Sequence, residues 1–230
     1  MNKKNKQKKL KNIEKTMKIL EKYFSCTERT TLNKMRKSKK SKKKNHAFKI
    51  LISCLLSLRT KDANTEKTSK KLFKVASTPQ AIAKIPLRKL EKLIYSSGHY
   101  KKKARTLKYV SKYLLKHHKG KVPSTEQELL AIKGIGRKTA NIVLSFAYGK
   151  DVLPIDTHCH RIPNRIGWIK TSKPEDTEKA LEKILLRKYW REFNAIFVLF
   201  GKTICLPVSP LCSKCPIRKY CRKINVKKSR

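Results

Sequence analysis

The sequence predicts an all-α protein of about ten helices arranged in two packed lobes. Apolar residues recur at the three- and four-residue spacing of amphipathic helices from about residue 47 onward. Little of the chain shows the strict alternation of a strand, and glycine, proline and capping residues separate the helical segments. Helices joined by short connections are therefore expected along most of the chain.

The expected helices can be taken in order. An N-terminal amphipathic helix carries Ile13, Met17, Leu20 and Phe24 on one face. Residues 47–58, AFKILISCLLSL, are apolar nearly all round and predict a buried core helix. Later helices are expected to begin at Asp62, at Ser77 or Thr78 with Pro79, at residues 87, 101, 175 and 190, and after a capping box of Ser124 and Gln127. A helix from Thr157 should be kinked, or have a short first segment, at Pro163.

The charge of the chain favours nucleic acid as a partner. The chain contains sixty lysines and arginines but only fifteen acidic residues, which gives a formal net charge of +45. Such a chain repels itself unless a polyanion or salt screens it. Eight of the eleven residues from 34 to 44 are basic, a run typical of a solvated loop that also touches phosphates. The alternative is a lysine bias spread over solvated faces.

The location is expected to be intracellular. No apolar run approaches the roughly 20 residues that span a bilayer, and no hydrophobic segment follows the charged N-terminus as in a signal peptide. Seven cysteines in a reducing compartment favour a metal or cluster site over disulfides.

Residues 129–144, LLAIKGIGRKTANIVL, predict two helices joined by a sharp turn. Gly134 and Gly136 are expected to supply positive φ angles there. Arg137 then opens the second helix, whose first N–H groups form an anion site suited to phosphate. Lys138 lies in the first turn, where the positive end of the helix dipole disfavours an ammonium. It is a candidate nucleophile, and the alternative is a surface lysine that binds phosphate.

Four cysteines near the C-terminus have metal-ligand spacing. Cys205, Cys212, Cys215 and Cys221 follow the pattern C-x6-C-x2-C-x5-C. Thiolates this close repel one another unless a metal neutralises them. Four-cysteine zinc sites usually contain two C-x2-C pairs, whereas this stretch contains one, so a [4Fe–4S] cluster is preferred.

The motif GIGRKTA at residues 134–140, the motif IDTH at 155–158 and the cysteine spacing together resemble the helix-hairpin-helix DNA glycosylases, and most closely the endonuclease III branch. The resemblance covers residues 47–221. It implies a six-helix lobe at 46–150 and a discontinuous cluster-bearing lobe at 1–45 with 151–230, with double-stranded DNA in the cleft between them. A monomer is expected.

The resemblance also implies roles for individual residues. Lys138 corresponds to the amine that displaces the base from C1′ and forms an imine, and Asp156 to the carboxylate that assists this attack. The alternative for Asp156 is a pure helix cap. Two loops that fill the gap left by an extruded base correspond to the stretches around Arg59 and His99, where the bacterial branch has glutamine and leucine.

The implied function is a base-excision glycosylase with lyase activity that acts on oxidised pyrimidines. An adenine mismatch glycosylase is disfavoured, because that branch lacks the lysine at position 138 and uses a glutamate in the core helix, where residues 49–60 contain no acid. A thymine or uracil mismatch glycosylase stays open as an alternative. So does a non-catalytic protein that binds DNA through the hairpin.

Overall fold

The computed structural model describes residues 3–25, 31–37 and 45–230. Within those ranges the chain forms twelve α-helices, two short 3-10 helices and no strand, so the prediction of an all-α protein is confirmed. The α-helices are α1 (Lys3–Tyr23), α2 (Thr31–Lys37), α3 (His46–Ser57), α4 (Asp62–Val75), α5 (Pro79–Lys84), α6 (Leu87–Leu93), α7 (Tyr100–His118), α8 (Glu126–Leu130), α9 (Arg137–Tyr148), α10 (Thr157–Ile166), α11 (Pro174–Glu182) and α12 (Trp190–Thr203). The 3-10 helices are Arg187–Tyr189 and Arg218–Tyr220. Among the described helices none combines the length and the apolar character that a bilayer crossing needs.

Contacts between Cα atoms divide the chain into two units. The hairpin unit contains the described residues 31–37 and 45–150, and the cysteine unit contains 3–25 and 151–230. Thr31 Oγ1 donates to the Asp62 carbonyl at 3.4 Å, and Lys34 pairs with Glu66 at 3.3 Å, so α2 groups with the hairpin unit. The division expected from the sequence placed these residues with the other lobe. Most of the lysine-rich tract, residues 38–44, lies outside the described ranges.

The core of the hairpin unit is built around α3. Every residue from 50 to 56 is buried, which confirms the prediction of a core helix that is apolar nearly all round. Helices α2, α4, α7 and α9 pack around α3. Because α9 is the second helix of the predicted hairpin, α3 supports the hairpin from behind.

The core of the cysteine unit joins the N-terminal helix to the C-terminal part of the chain. The four apolar residues predicted on one face of α1 are all buried, and α1 packs against α12. Phe24, the residue that follows α1, lies 6.2 Å from Phe200 of α12 between ring centroids, and within α12 Phe193 stacks on Phe197 at 4.1 Å. Aromatic packing of this kind holds together segments that are far apart in sequence.

The predicted short first segment at Pro163 is wrong. Helix α10 runs from Thr157 to Ile166 as one element that contains this proline. It ends at Gly167, whose φ of 90° is left-handed and whose N–H bonds the Pro163 carbonyl at 3.1 Å. Pro163 removes one amide donor, and both ends of this short helix are capped, by Asp156 at the start and by Gly167 at the end.

Packing of α10 on α12 requires glycine at position 201. A Cβ atom there would lie 2.2 Å from His158 Nδ1 and 3.0 Å from His158 Cβ. We expect Gly201→Ala to lower the free energy of unfolding by about 1–3 kcal/mol, the usual cost of overpacking. Urea denaturation measures this change. The control is Lys202→Ala, an exposed neighbour that should change stability by less than about 0.5 kcal/mol, and equal losses in the two variants would contradict the packing argument.

Candidate active site

The hairpin consists of α8, a six-residue turn and α9. Thr125 is the N-cap of α8. Its hydroxyl accepts a hydrogen bond from the Glu128 N–H at 3.4 Å and donates one to the Glu128 carboxylate. The capping box predicted at Ser124 and Gln127 is therefore wrong by one residue. A carboxylate is favoured over an amide in the first turn because it also interacts with the positive end of the helix dipole.

The two glycines of the hairpin turn have different roles. Gly134 has a φ of +97°, as predicted, and a Cβ there would lie 2.9 Å from Thr106 Cγ2. The prediction of a positive φ at Gly136 is wrong: its φ is −94° and it is the N-cap of α9. N-cap residues adopt extended backbone, so no left-handed angle is needed there. A Cβ at Gly136 would meet nothing within 4 Å, which leaves the end of the helix open.

The N-terminus of α9 has the features of an anion site. The first helical hydrogen bond of α9 runs from the Ala140 N–H to the Gly136 carbonyl at 3.0 Å. The N–H groups of the three preceding residues therefore have no acceptor inside the helix. Arg137 is exposed and pairs with Glu126 of α8 at 3.4 Å. An exposed pair of this kind contributes little free energy, so phosphate can compete for the guanidinium.

Lys138 is half-buried in the first turn of α9 and lies near Cys54 of the core helix. Cys54 is fully buried, and burial raises the pKa of its thiol, against the smaller effects of the Lys138 charge and a hydrogen bond with Thr139. The thiol is therefore uncharged at neutral pH. Lys138 thus lies beside a neutral group of α3, a neighbour that the sequence did not reveal.

Asp156 is the N-cap of α10 in the cysteine unit. Its Oδ1 accepts from the N–H groups of His158 and Cys159, each at 2.9 Å. Leu153 and Ile155 before it are buried, and Asp156 itself is half-buried. Two capping amides on a single oxygen fix the orientation of the carboxylate.

The predicted gap-filling residues lie on two loops that touch each other, both in the hairpin unit. Arg59, in the loop of residues 58–61, and His99, in the loop of residues 94–99, are exposed and have left-handed φ angles of 51° and 57°. A Cβ at Gly98 would lie 2.7 Å from the Arg59 carbonyl, and the Gly98 N–H donates to Thr60 Oγ1 at 3.1 Å. We call residues 58–61 and 94–99 the paired loops.

The four predicted cysteine ligands line one cavity of the cysteine unit. The cavity is partly open to solvent. Its lining contains Cys205, Cys212, Cys215 and Cys221 together with Arg165 and apolar side chains of α12 and the C-terminal loop. The spacing of the cysteines in the sequence thus brings all four to one place.

Hydrogen-bond donors surround the sulfur atoms. Arg165 Nη1 lies 3.3 Å from Cys205 Sγ, the Lys223 N–H donates to Cys221 Sγ at 3.4 Å, and the Ile217 N–H donates to Cys215. Burial raises the pKa of Cys215 to about 11, and the other three cysteines act in the same direction. Among the described residues no three or more His, Cys, Asp or Glu side chains are arranged around a single metal ion.

The structure therefore groups the sequence-predicted residues in two sets. The hairpin unit holds the hairpin turn, Lys138 and the paired loops. The cysteine unit holds Asp156 and the four cysteines. Lys103, which is buried behind the paired loops, was not among the residues predicted from the sequence. Its spacing from Leu107, Val110 and Leu114 nevertheless places it on the inward face of α7.

Comparison with known sequences identifies the family. Residues 52–187 match the model of the HhH-GPD superfamily base excision DNA repair proteins. Endonuclease III of Thermotoga maritima is 48% identical over 179 residues, which are 78% of this chain and 84% of that protein. Endonuclease III of Bacillus subtilis is 32% identical over 183 residues, which are 78% of this chain and 82% of that protein.

Solved structures agree with this assignment. A trapped covalent intermediate of endonuclease III with DNA matches with a TM-score of 0.79 and 30% identity, over 93% of this chain and 96% of that chain. A thermostable thymine-DNA glycosylase matches with a TM-score of 0.80 over 93% of this chain and 96% of that one, but at 24% identity it shows likeness of fold alone. The chain therefore belongs to the HhH-GPD superfamily of base excision DNA repair proteins, in which it is an endonuclease III-like DNA glycosylase and AP lyase.

Proposed function

We propose that the protein removes oxidised pyrimidines from double-stranded DNA through an imine on Lys138 and then cleaves the strand at the resulting abasic site. The observation that carries this proposal is the position of Lys138, half-buried in the first turn of α9 immediately after the glycine turn. The thiol of its neighbour Cys54 is uncharged, so it forms no ion pair with Lys138. An amine nucleophile requires such access to a substrate atom.

The chemistry follows from an amine at C1′ of the sugar. The neutral amine forms a bond to C1′ while the C1′–N bond to the base breaks, and the base leaves with the electron pair and takes up a proton. The attached nitrogen then loses a proton, and the C1′–O4′ bond breaks as O4′ takes up a proton, which opens the sugar ring and gives an imine. Loss of a proton from C2′ breaks the C3′–O bond, and the 3′ phosphate leaves, which is β-elimination. Asp156, held by its capping amides, stabilises the cationic sugar that develops as the base departs.

Double-stranded DNA is the proposed partner. Solved structures of endonuclease III in complex with DNA support it. The open N-terminus of α9, with Gly134, Gly136 and Arg137, binds phosphate. Arg59 and His99 fill the gap left by the extruded base, Arg59 by hydrogen bonds to the orphaned partner base and His99 by stacking. The protein acts as a monomer inside the cell, where its substrate is.

A [4Fe–4S] cluster is the group that best fits the cysteine cavity. Four thiols line it, and three N–H donors point at sulfur atoms, an arrangement that stabilises thiolate ligands. Cys205, Cys212, Cys215 and Cys221 would hold the cluster, which would supply positive charge that keeps the four thiols ionised and would fix the loop. No step of base removal is assigned to it.

Lys138→Ala should abolish strand cleavage. We expect the rate of nicking on a duplex with one oxidised pyrimidine to fall by more than about a thousandfold, while binding of the duplex is retained because the amides of α9 stay in place. Single-turnover gel assays and fluorescence anisotropy measure the two properties. Lys133→Ala removes an exposed lysine of the same turn and should leave nicking unchanged. Normal cleavage by Lys138→Ala would contradict the assignment.

Substitutions of the two turn glycines should affect different properties, the stability of the fold at Gly134 and the binding of phosphate at Gly136. Gly134→Ala forces a left-handed angle on alanine and brings a methyl group against Thr106, so we expect a loss of about 1–3 kcal/mol in the free energy of unfolding. Gly136→Ala should cost less than about 1 kcal/mol but weaken DNA binding, because its methyl group lies beside the amides of α9. Urea denaturation and anisotropy on an undamaged duplex test this, and equal destabilisation by both variants would refute it.

The metal content of the protein can be measured directly. Protein purified without oxygen should contain about four irons per chain and absorb broadly in the visible region. Cys215→Ser should lose most of the iron, whereas Cys54→Ala, outside the cavity, should keep it. Stoichiometric zinc in place of iron would exclude the cluster.

A further inference from the structure

Lys103 is a buried lysine whose hydrogen-bond acceptors are all uncharged. The residue is 8% exposed, in the first turns of α7. Its Nζ donates to the Leu56 carbonyl at 2.7 Å, to Thr60 Oγ1 at 2.8 Å and to Ser97 Oγ at 2.8 Å. An ammonium has three N–H donors, so these three acceptors satisfy all of them.

Two of the three acceptors come from the paired loops, one from each, and the third comes from the end of α3. Leu56 belongs to the last turn of α3 and Thr60 to the loop that follows it, whereas Ser97 belongs to the loop before α7. Further bonds cross between the same groups: Ser97 Oγ donates to the Leu56 carbonyl at 3.0 Å, and Thr60 Oγ1 lies 3.3 Å from Ser97 Oγ. Lys103 is therefore the centre of a network that ties the two loops together.

The network lies directly behind the residues expected to enter DNA. Arg59 adjoins Thr60, and His99 lies two residues from Ser97. Both Arg59 and His99 are exposed and hold left-handed backbone angles, which is strained for residues other than glycine and persists only where the surroundings enforce it. The polar network ties down the residues beside both positions, and the His99 carbonyl also accepts from the Lys103 N–H at 3.1 Å.

Burial of the Lys103 ammonium costs free energy, because the charged group loses its hydration. Burial lowers the pKa of Lys103 to about 8, because the charged form is desolvated and no carboxylate is among its described partners. An apolar residue at this inward position of α7 would avoid that cost. What the ammonium provides instead is three directed bonds, which hold two loops in one relative position.

We propose that Lys103 is a positioning residue that joins the paired loops into one rigid wedge, so that Arg59 and His99 enter the duplex together when a damaged base is extruded. The inference rests on the proposed function, because it assigns those two residues to the gap. Two independent loops would each lose conformational freedom on binding DNA. Loops already fixed to one another have lost it before binding, which favours tight binding.

A double-mutant cycle tests the wedge. The probe is a duplex with one tetrahydrofuran abasic analogue, and the measured quantity is the dissociation constant. If the loops act as a unit, Arg59→Ala and His99→Ala should each weaken binding, and the double variant should be little weaker than either single one. In a Lys103→Met background the two effects should multiply, as they do for independent sites. General destabilisation does not produce this change from coupled to independent effects.

Matched variants complete the test. Lys102→Met removes an exposed lysine next to Lys103 and should leave the coupling intact. Thr60→Val removes one acceptor without altering Lys103 and should reduce the coupling, which keeps the test decisive if Lys103→Met does not fold. Strand cleavage by the wild type is measured in parallel. Two results would overturn the wedge alone. One is that the effects of Arg59→Ala and His99→Ala on binding already multiply in an otherwise wild-type protein that cleaves DNA. The other is that the coupling between these two effects survives Lys103→Met or Thr60→Val. A wild type that cleaves neither damaged nor abasic duplex would overturn the proposed function and the wedge with it.

Discussion

The left-handed backbone at Gly134 is the constraint on which the hairpin depends. With a φ of +97° and no room for a side chain beside Thr106, this residue turns the chain between α8 and α9. The turn decides which residue begins α9, and hence which side chains occupy its first turn. A shift by one residue would rotate each of them by about 100° around the helix axis. Lys138 faces Cys54 of α3 only because the turn and the buried helix behind it fix that register.

In the cysteine unit, α10 connects the capping aspartate to the cysteine cavity. Asp156 caps the start of this helix, and two arginines farther along it bind the start of the cysteine loop. Arg161 Nη2 donates to the Cys205 carbonyl at 2.8 Å, and Arg165 Nη1 donates to the Leu206 carbonyl at 2.7 Å. Burial lowers the pKa of Arg161, yet the guanidinium stays charged because its pKa begins so high. Order in the cysteine loop therefore stabilises the helix that carries Asp156.

Much of this organisation could be predicted from the sequence, because it depends on local patterns. Helical periodicity identified α3 as the core helix. Capping chemistry offered Ser77 or Thr78 before α5, and it is the Thr78 hydroxyl that accepts from the Ala81 N–H at 3.1 Å. Competing local signals were harder to rank. Ser124 with Gln127 and Thr125 with Glu128 are overlapping capping boxes, and only the preference of the helix end for a carboxylate separates them.

Other features depend on contacts between distant residues and could not be predicted. Gly136 was expected to share the left-handed angle of Gly134, but its position as an N-cap removes that need. Lys103 is the last of three consecutive lysines, a pattern typical of a solvent-exposed segment. Only the fold brings Leu56, Thr60 and Ser97 around its ammonium. The proximity of Cys54 to Lys138 likewise follows from the packing of α3 on α9.

The proposed chemistry depends on the amine of Lys138 as nucleophile. It can be tested by borohydride reduction during reaction with a duplex that carries one oxidised pyrimidine, followed by proteolysis and mass spectrometry of the cross-linked peptide. We expect one covalent adduct, located on Lys138 and absent from Lys138→Ala. An adduct on another lysine, or base loss without any adduct, would contradict it, and the second result would indicate a water nucleophile.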